Sequence, residues 1–464
     1  MYRKHFTFIE VCDIINDDYA KGGIGTETSY TVGLYTLGCK VAQYETEAIA
    51  EDFCRRGFSL RDFSDSCDVY VINTCTVTAE SDRKCRQFIR RAVGRNPAAL
   101  VMVCGCYAQT SPDEVARIPG VAYVCGTGGK MKLAEAASSL LAARPSSPVM
   151  AVTDVWQESF EPMCVAHAPR TRAYVKIEDG CSCRCSYCAI PLARGAVRSK
   201  APEDMLREVA ALAAGGSREV VLTGIETAAY GEDLGGVRLI DLLEMLDRRE
   251  DTPRLRLGSL SPELIKPDFV ARFARLKKAV PHMHLSMQSG SDNVLRGMRR
   301  RYNTQMALSA LAALRAAVPD VQFTTDLMVG FPGESDADFE QTLSFCRTAR
   351  FLDVHVFAYS RRPGTVASDM DGQVAEEIKR ERSARLIAEK NRIRDEILAE
   401  VASAGKPLSV LFETKEKDGY HGHTDSFIEV CVRSEADIRS TICSVIPEWA
   451  EGGIIYGKLL KLSI

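Results

Sequence analysis

Hydrophobic and polar positions fall into a repeating order along this chain. From Tyr30, short apolar runs (TVGLYTL, DVYVINT and ALVMVCG) each end in Gly, Thr or Cys. The first two lead into stretches with helical spacing, VAQYETEAIAEDFCRRG and AESDRKCRQFIRRAVGR. Such alternation predicts parallel strands with helices between them. The rhythm fades over 145–169, where Pro, Ser and polar residues predict a linker held to its neighbour by Trp156 and Phe160. It resumes from Thr171 to Arg394, where AYVKIEDG, REVVLTGIET, PRLRLGSLSP, HMHLSMQSGS, VQFTTDLMVGFPG and LDVHVFAYS form six strand ends. Six parallel strands with intervening helices predict a partial (β/α)6 barrel, with its chemistry at the C-terminal face. Residues 375–400 predict a long solvated helix that packs one apolar stripe. Residues 401–464 break into short strands with Gly and Asp-Gly turns, which predicts a small antiparallel β-barrel.

The expected organisation of this α/β chain is therefore an extension of unclear role at 1–28, a parallel-sheet domain at 29–145, a linker at 146–169, a barrel domain at 170–400 and the small barrel at 401–464. A chain of 464 residues has room for two to four domains, and 46% hydrophobic with 26% charged residues is ordinary for a globular protein. The net charge of -3 gives no global sign of nucleic-acid binding, so any such contact must use local patches. One candidate patch is Arg296, Arg299, Arg300 and Arg301; another is Arg83, Lys84, Arg86, Arg90, Arg91 and Arg95.

The cysteine count changes the picture. There are 17, yet Asp13, Asp17 and Asp18 interrupt the place where a secretory signal would stay apolar. No apolar run is long enough to cross a bilayer. The expectation is a cytoplasmic protein without membrane contact, whose cysteines serve metal binding or thiol chemistry. Within GCSCRCSYCAIPLARG, residues 180–195, Cys181, Cys185 and Cys188 form a C-x3-C-x2-C run. Three thiolates on one loop can hold one face of a 4Fe–4S cluster and leave one iron open, since closed clusters use four. Structural zinc would want a fourth ligand and paired C-x2-C units. Cys183 offers a competing frame.

A second set is made by the expected fold. Cys39, Cys75 and Cys106 each follow the end of a predicted strand, so a parallel sheet brings them to its carboxyl edge, where ligands bind. Three independent core cysteines would be the alternative. Cys104 is assigned to packing.

The C-x3-C-x2-C loop with Tyr187 before its third cysteine resembles the radical S-adenosylmethionine superfamily. LGCKVAQYETE, VINTCTVTAESDRKCRQ and CGCYAQ are similar to the three motifs of the methylthiotransferase N-terminal domain, and 401–464 resembles the TRAM RNA-binding module. The resemblance implies two 4Fe–4S clusters, on Cys181, Cys185 and Cys188 and on Cys39, Cys75 and Cys106, with Cys183 a bystander. It implies S-adenosylmethionine contacts at Tyr187, Gly224, Glu226, Ser286, Gln288, Gly330 and Gly333, and no catalytic side chain beyond the cluster ligands. It further implies radical hydrogen abstraction followed by methylthio insertion, a tRNA partner, an electron donor such as flavodoxin or ferredoxin, and a monomer.

Two departures from the family pattern matter. Ala42 stands where Asn is usual, at an expected helix start where Asn would cap, and Glu226 stands where close relatives commonly have His. YTLGCKVAQYETE, LTGIE and HVFAYSRRPGT look most like the branch that methylthiolates carbon 2 of N6-threonylcarbamoyladenosine at tRNA position 37. The branches acting on N6-isopentenyladenosine-37 or on a ribosomal-protein aspartate are the alternatives. In the last segment, seven Lys/Arg face nine Asp/Glu, so RNA contact there is expected to rest on Tyr420, His421, His423 and Phe427.

Overall fold

The computed structural model describes residues 30–166 and 171–460. The extension at 1–28 and residues 167–170 of the expected linker lie outside the described residues. Six parallel strands form the first sheet: β1 (Thr31–Thr36), β2 (Ser59–Arg61), β3 (Val69–Thr74), β4 (Leu100–Gly105), β5 (Val121–Cys125) and β6 (Val149–Ala151), in the order β2-β1-β3-β4-β5-β6. Every residue of β3 and β4 is buried, as expected of central strands covered on both faces. Ile49 and Phe53 of the helix Lys40–Arg55 cover one face, and Ile89 and Ala92 of the helix Ala79–Arg95 cover the other. β6 comes from the stretch read as a linker, because its three residues pair with β5 and extend the sheet. In the same stretch Trp156 is 53% exposed, whereas Phe160 lies under the Lys176 ammonium.

The second domain starts with β7 (Arg172–Lys176). A short antiparallel pair, β8 (Glu178–Asp179) and β9 (Arg198–Ser199), brackets the cysteine loop. β10 (Glu219–Thr223), β11 (Arg254–Leu257), β12 (Ser259–Leu260), β13 (His282–Gln288), β14 (Gln322–Val329) and β15 (Asp353–Ala358) follow. They form two parallel sheets, β11-β10-β7 and β12-β13-β14-β15. β11 and β12 are one strand broken at Gly258, so six strands curve into the expected partial barrel.

β16 (Leu408–Lys415), β17 (Tyr420–Thr424), β18 (Glu429–Val432), β19 (Ile442–Glu451) and β20 (Ile454–Leu459) close into a barrel in the order β16-β17-β18-β20-β19. One pair, β18 with β20, is parallel, which corrects the all-antiparallel expectation. A closed ring with an odd number of strands cannot alternate direction all the way round. The helix Glu376–Ala404 packs against β15 and β19 through Leu386, Ile393, Ile397 and Leu398.

The small barrel is plugged onto the N-terminal end of the larger one. Phe427 stacks between His282 and His423, with ring centroids at 4.7 and 4.9 Å, and the guanidiniums of Arg256 and Arg172 lie against its ring. Glu219 binds Arg256 at 2.6 Å and Arg172 at 3.0 Å, and Arg172 also reaches Glu413 at 3.0 Å. Phe427 is thus spent on packing, and Tyr420 is 2% exposed. His421 is held by Asp418 at 3.0 Å and Glu429 at 3.1 Å. His423 is held by Glu413 at 2.6 Å. These four side chains serve the fold instead of forming an open stacking surface, which corrects the RNA-contact expectation for them.

Candidate metal centres

Cys39, Cys75 and Cys106 stand just beyond β1, β3 and β4, as the strand rhythm predicts. Gly38 lets them approach: with φ of 140°, a Cβ there would sit 3.4 Å from the Cys75 Cβ and 3.2 Å from that of Ala42. Gly105, with φ of 97°, makes the turn into Cys106, where a Cβ would fall 2.5 Å from the Thr74 carbonyl oxygen. Burial, with the neighbouring Cys106 and Cys39, pushes the Cys75 thiol up to about 12. Burial also raises Cys106, against Arg194 and Lys130. An iron held by these sulfurs would reverse this tendency by taking them as thiolates. Cys85 packs on the Cys75 backbone, with its sulfur 3.4 Å from the Cys75 nitrogen. Cys104 is fully buried within β4, as expected of a packing residue.

The cap of the first helix differs from expectation. Cys39 is the N-cap and Ala42 is the third helical residue, buried under Gly38. Asn73 Nδ2 donates to the Ala42 carbonyl at 3.1 Å. An Asn at 42 would therefore not be the cap, and Ala42 costs the helix none.

Cys181, Cys185 and Cys188 lie on the loop between β8 and β9, all half-buried. The Cys181 N–H donates to the Gly195 carbonyl at 3.0 Å and the Cys188 N–H to that of Cys185 at 3.2 Å, which curls the loop. The ligand atoms of Cys181, Cys183 and Glu226 lie within 4.8 Å of one another. Burial raises Glu226 to about 7, reinforced by Cys183. Its N–H donates to Glu178 at 2.9 Å, and Gly224 leaves space that a Cβ would lose to the Glu178 carboxylate, 2.5 Å away. Glu178 Oε1 and Gln288 Oε1 are buried without a hydrogen-bond partner among the described residues. Gln288 itself has φ of 64°.

The other expected contact residues gather here. Tyr187 packs in an apolar cluster with Val294, Met298 and Phe331 of the Gly330–Gly333 turn. Buried Arg382 reaches from the long helix to hold Glu334 at 3.0 Å, beside that turn. The Ser286 carbonyl accepts from Arg300 and from the Tyr302 hydroxyl, each at 3.0 Å. Arg300 also donates to Cys185 Sγ at 3.4 Å. It belongs to the centre, while Arg296, Arg299 and Arg301 remain exposed.

Sequence reasoning missed the residues that join the two centres. Arg362, within SRRPGT, binds Asp82 at 2.7 Å and donates to Thr76 at 2.7 Å, next to Cys75. Arg194, Glu45, Lys130, Lys176 and Asp179 form a buried ionic cluster between the domains. The LARG run after the cysteine loop was the available signal for Arg194. Lys40 reaches toward the barrel interior, where burial and then Arg256 and Arg172 push its ammonium down to about 8.

Residues 175–346 match the Radical SAM superfamily, and residues 31–126 match the uncharacterized protein family UPF0004. The "Threonylcarbamoyladenosine tRNA methylthiotransferase MtaB" of Bacillus subtilis (strain 168) is 40% identical over 425 residues, 89% of this chain and 93% of that protein. This chain belongs to the MtaB-type radical SAM methylthiotransferases. Another MtaB, from Thermotoga maritima, is 39% identical over 76% of this chain and 80% of its own length. The "tRNA-2-methylthio-N(6)-dimethylallyladenosine synthase" of Methylacidiphilum infernorum is 35% identical over 78% of this chain and 80% of its own. Among solved structures, the radical S-adenosylmethionine methyltransferase TsrM of Kitasatospora setae aligns with a TM-score of 0.56 at 18% identity, over 74% of this chain and 77% of that one. That likeness supports the fold. This methylthiotransferase is therefore an enzyme whose superfamily uses a 4Fe–4S cluster and S-adenosylmethionine. The donor set fits a thiolate-held cluster, since one loop presents the half-buried thiols of Cys181, Cys183, Cys185 and Cys188 beside unpartnered buried amide and carboxylate oxygens, and among these Cys183 is the thiol that lies near Cys181. No helix among the described residues is long and apolar enough to cross a membrane.

Proposed function

We propose that this methylthiotransferase converts N6-threonylcarbamoyladenosine at position 37 of tRNA to its 2-methylthio derivative. The observation that carries the reading is 40% identity to an MtaB over 93% of that protein's length, while the matched regions 31–126 and 175–346 hold the two three-cysteine sets. Cys181, Cys185 and Cys188 hold the radical cluster, and Cys39, Cys75 and Cys106 hold an auxiliary one. When bound, the first cluster with S-adenosylmethionine supplies hydrogen-abstracting radical chemistry that no side chain performs, and the second supplies sulfur.

The chain's own groups bind, orient and shield. Glu178 and Gln288 each present a buried oxygen without a partner, and leaving such an atom unpaired costs about 1–3 kcal/mol. Together with Gly224, Glu226 and Ser286 they would hold the polar groups of S-adenosylmethionine. Tyr187 and Phe331 close the apolar side of this site, with Gly330 and Gly333 turning the chain around it. Arg300 fixes Cys185, while Arg362 fastens the Cys75 segment to the barrel. Phe427 seals the far end of the barrel, which limits water entry from that side. An external one-electron donor such as flavodoxin or ferredoxin serves the radical cluster, and the protein acts as a monomer in the cytoplasm.

The test is mass spectrometry of tRNA nucleosides from cells with and without this protein. The 2-methylthio-N6-threonylcarbamoyladenosine signal is expected to vanish on deletion and return on complementation. If it is unchanged and 2-methylthio-isopentenyladenosine or the ribosomal aspartate modification disappears instead, the substrate assignment is wrong.

A further inference from the structure

Arg194 ends the short helix Ile190–Arg194 that follows the radical-site cysteine loop, yet its side chain points into the other domain. Its Nε donates to Cys106 Sγ at 3.3 Å. Its Nη1 donates to Glu45 at 2.7 Å and to the two Asp179 oxygens at 3.0 and 3.1 Å, and its Nη2 donates to Glu45 at 3.2 Å. The residue is 0% exposed. The helix itself is pinned to the first domain, because Thr127 Oγ1 donates to the Ala193 carbonyl at 2.7 Å. Two nitrogens of the planar guanidinium are thus held by Glu45 and Asp179, and the third, Nε, faces a sulfur of the auxiliary set.

The charge around it is unbalanced. Lys130 and Lys176 also bind Glu45, Lys176 binds Asp179 at 3.1 Å, and Arg198 lies 3.7 Å from Asp179. Glu161 is a third acid in the pocket, raised by burial. Lys130, Lys176, Arg194 and Arg198 therefore face Glu45, Asp179 and Glu161. Glu178, next to Asp179, is a fourth acid, which burial raises well above the carboxylate range; with it neutral and the other three ionised, one positive charge is left over. Cys125 shares the pocket, and burial raises its thiol well above the ordinary value. A buried excess of one sign needs a counter-charge close by. Cys106, as a thiolate ligand of a cluster that three thiolates leave net negative, is that counter-charge.

Resting on the auxiliary-cluster reading, we infer that Arg194 is a positioning residue that sets the reduction potential of the auxiliary cluster. A hydrogen bond and a fixed positive charge at a cluster sulfur favour the reduced state, since hydrogen bonds to the sulfurs and local charge are what set such potentials. Because Arg194 belongs to the radical-site loop's own helix, it also ties the position of one cluster loop to the other. Arg300 makes the corresponding contact to Cys185, so each cysteine set receives one arginine N–H on one sulfur.

The experiment uses full-length protein with Cys181, Cys185 and Cys188 all replaced by Ala, reconstituted with iron and sulfide, so that only the auxiliary cluster is present. Iron content is measured first, then the midpoint potential by a redox titration followed by electron paramagnetic resonance. In this background Arg194→Gln is expected to shift the midpoint to more negative potential, Arg194→Lys to shift it less, and Glu45→Gln to shift it positive. If Arg194→Gln fails to load iron, Arg194→Lys, which keeps the charge and loses the directed N–H, decides by the sign of its shift. An unchanged midpoint in an iron-loaded Arg194 variant, or shifts of the same sign for Arg194→Gln and Glu45→Gln, overturns the inference. If the parent background binds no iron, the auxiliary-cluster reading itself fails and takes the inference with it.

Discussion

At the scale of single residues, the thiols of the two centres share a problem of charge. Burial pushes Cys75 and Cys188 up to about 12, so both are neutral thiols as they stand, and under the proposed function iron would displace their protons. Cys185→Ala is expected to abolish reductive cleavage of S-adenosylmethionine while iron stays at the Cys39, Cys75 and Cys106 site. Full 5′-deoxyadenosine yield in that variant, read by chromatography, would remove Cys185 from the ligand set. Cys75→Ala is expected to keep cleavage and lose methylthio insertion; product formed at the parent level would contradict the auxiliary role. Ala42 shows how fine the register is at this scale. One turn separates a cap from a buried third residue, and spacing alone does not tell them apart.

At the scale of elements, the small barrel depends on buried polar contacts that its sequence presents as surface chemistry. His421 donates to Glu429 and Asp418, and these hydrogen bonds, Glu429's first, raise it to about 9. A histidine free in the unfolded chain titrates near 6.5. Its contribution to stability is therefore complete below about pH 6.5 and is lost as pH rises through about 9. Denaturant midpoints between pH 6 and pH 10 are expected to fall for the parent protein and to be flatter for His421→Gln. Phe427→Ala removes two stacked pairs and two cation–π contacts, for an expected loss of about 2–4 kcal/mol. An unfolding curve that does not move would mean the plug carries no weight.

At the scale of the whole molecule, the cysteines of both sets lie at the carboxyl ends of parallel strands, and a tRNA substrate has to meet basic groups on the surface beside them. The exposed face of the helix Ala79–Arg95 offers Arg90 and Arg91, while Arg83 is engaged by Glu80 and Arg86 by Glu114. The Arg90→Ala/Arg91→Ala double variant is expected to weaken tRNA binding and reduce the slope of log affinity against log salt by about 1–2. A slope equal to the parent's would place the phosphate contacts elsewhere. The opposite end is filled by Glu219, Arg172, Arg256 and Phe427, where the small barrel docks.

The local pattern by itself placed Cys39, Cys75 and Cys106 at one sheet edge and Cys181, Cys185 and Cys188 on one loop, and gave the order of sheet, partial barrel and small barrel. Strand period and helix spacing fix where each strand ends, and in a parallel sheet all carboxyl ends lie on one edge. Cys39, Cys75 and Cys106 could therefore be grouped without coordinates, and Cys181, Cys185 and Cys188 needed only one loop. The six-stranded barrel was legible for the same reason. What the tertiary structure alone decided was which charged and aromatic side chains meet. Arg194 and Glu45 are 149 positions apart, and nothing in either neighbourhood marks them as partners. Phe427 and its histidines have the composition of an RNA-stacking surface, and only docking onto Arg172, Arg256 and His282 turned them inward. The parallel pair in the last barrel followed from closure of five strands, a property of the ring and not of any one strand. Chemistry carried on strand ends was visible in one dimension because the sheet imposes its order; the electrostatics between domains was not, because burial and pairing arise only when distant segments pack.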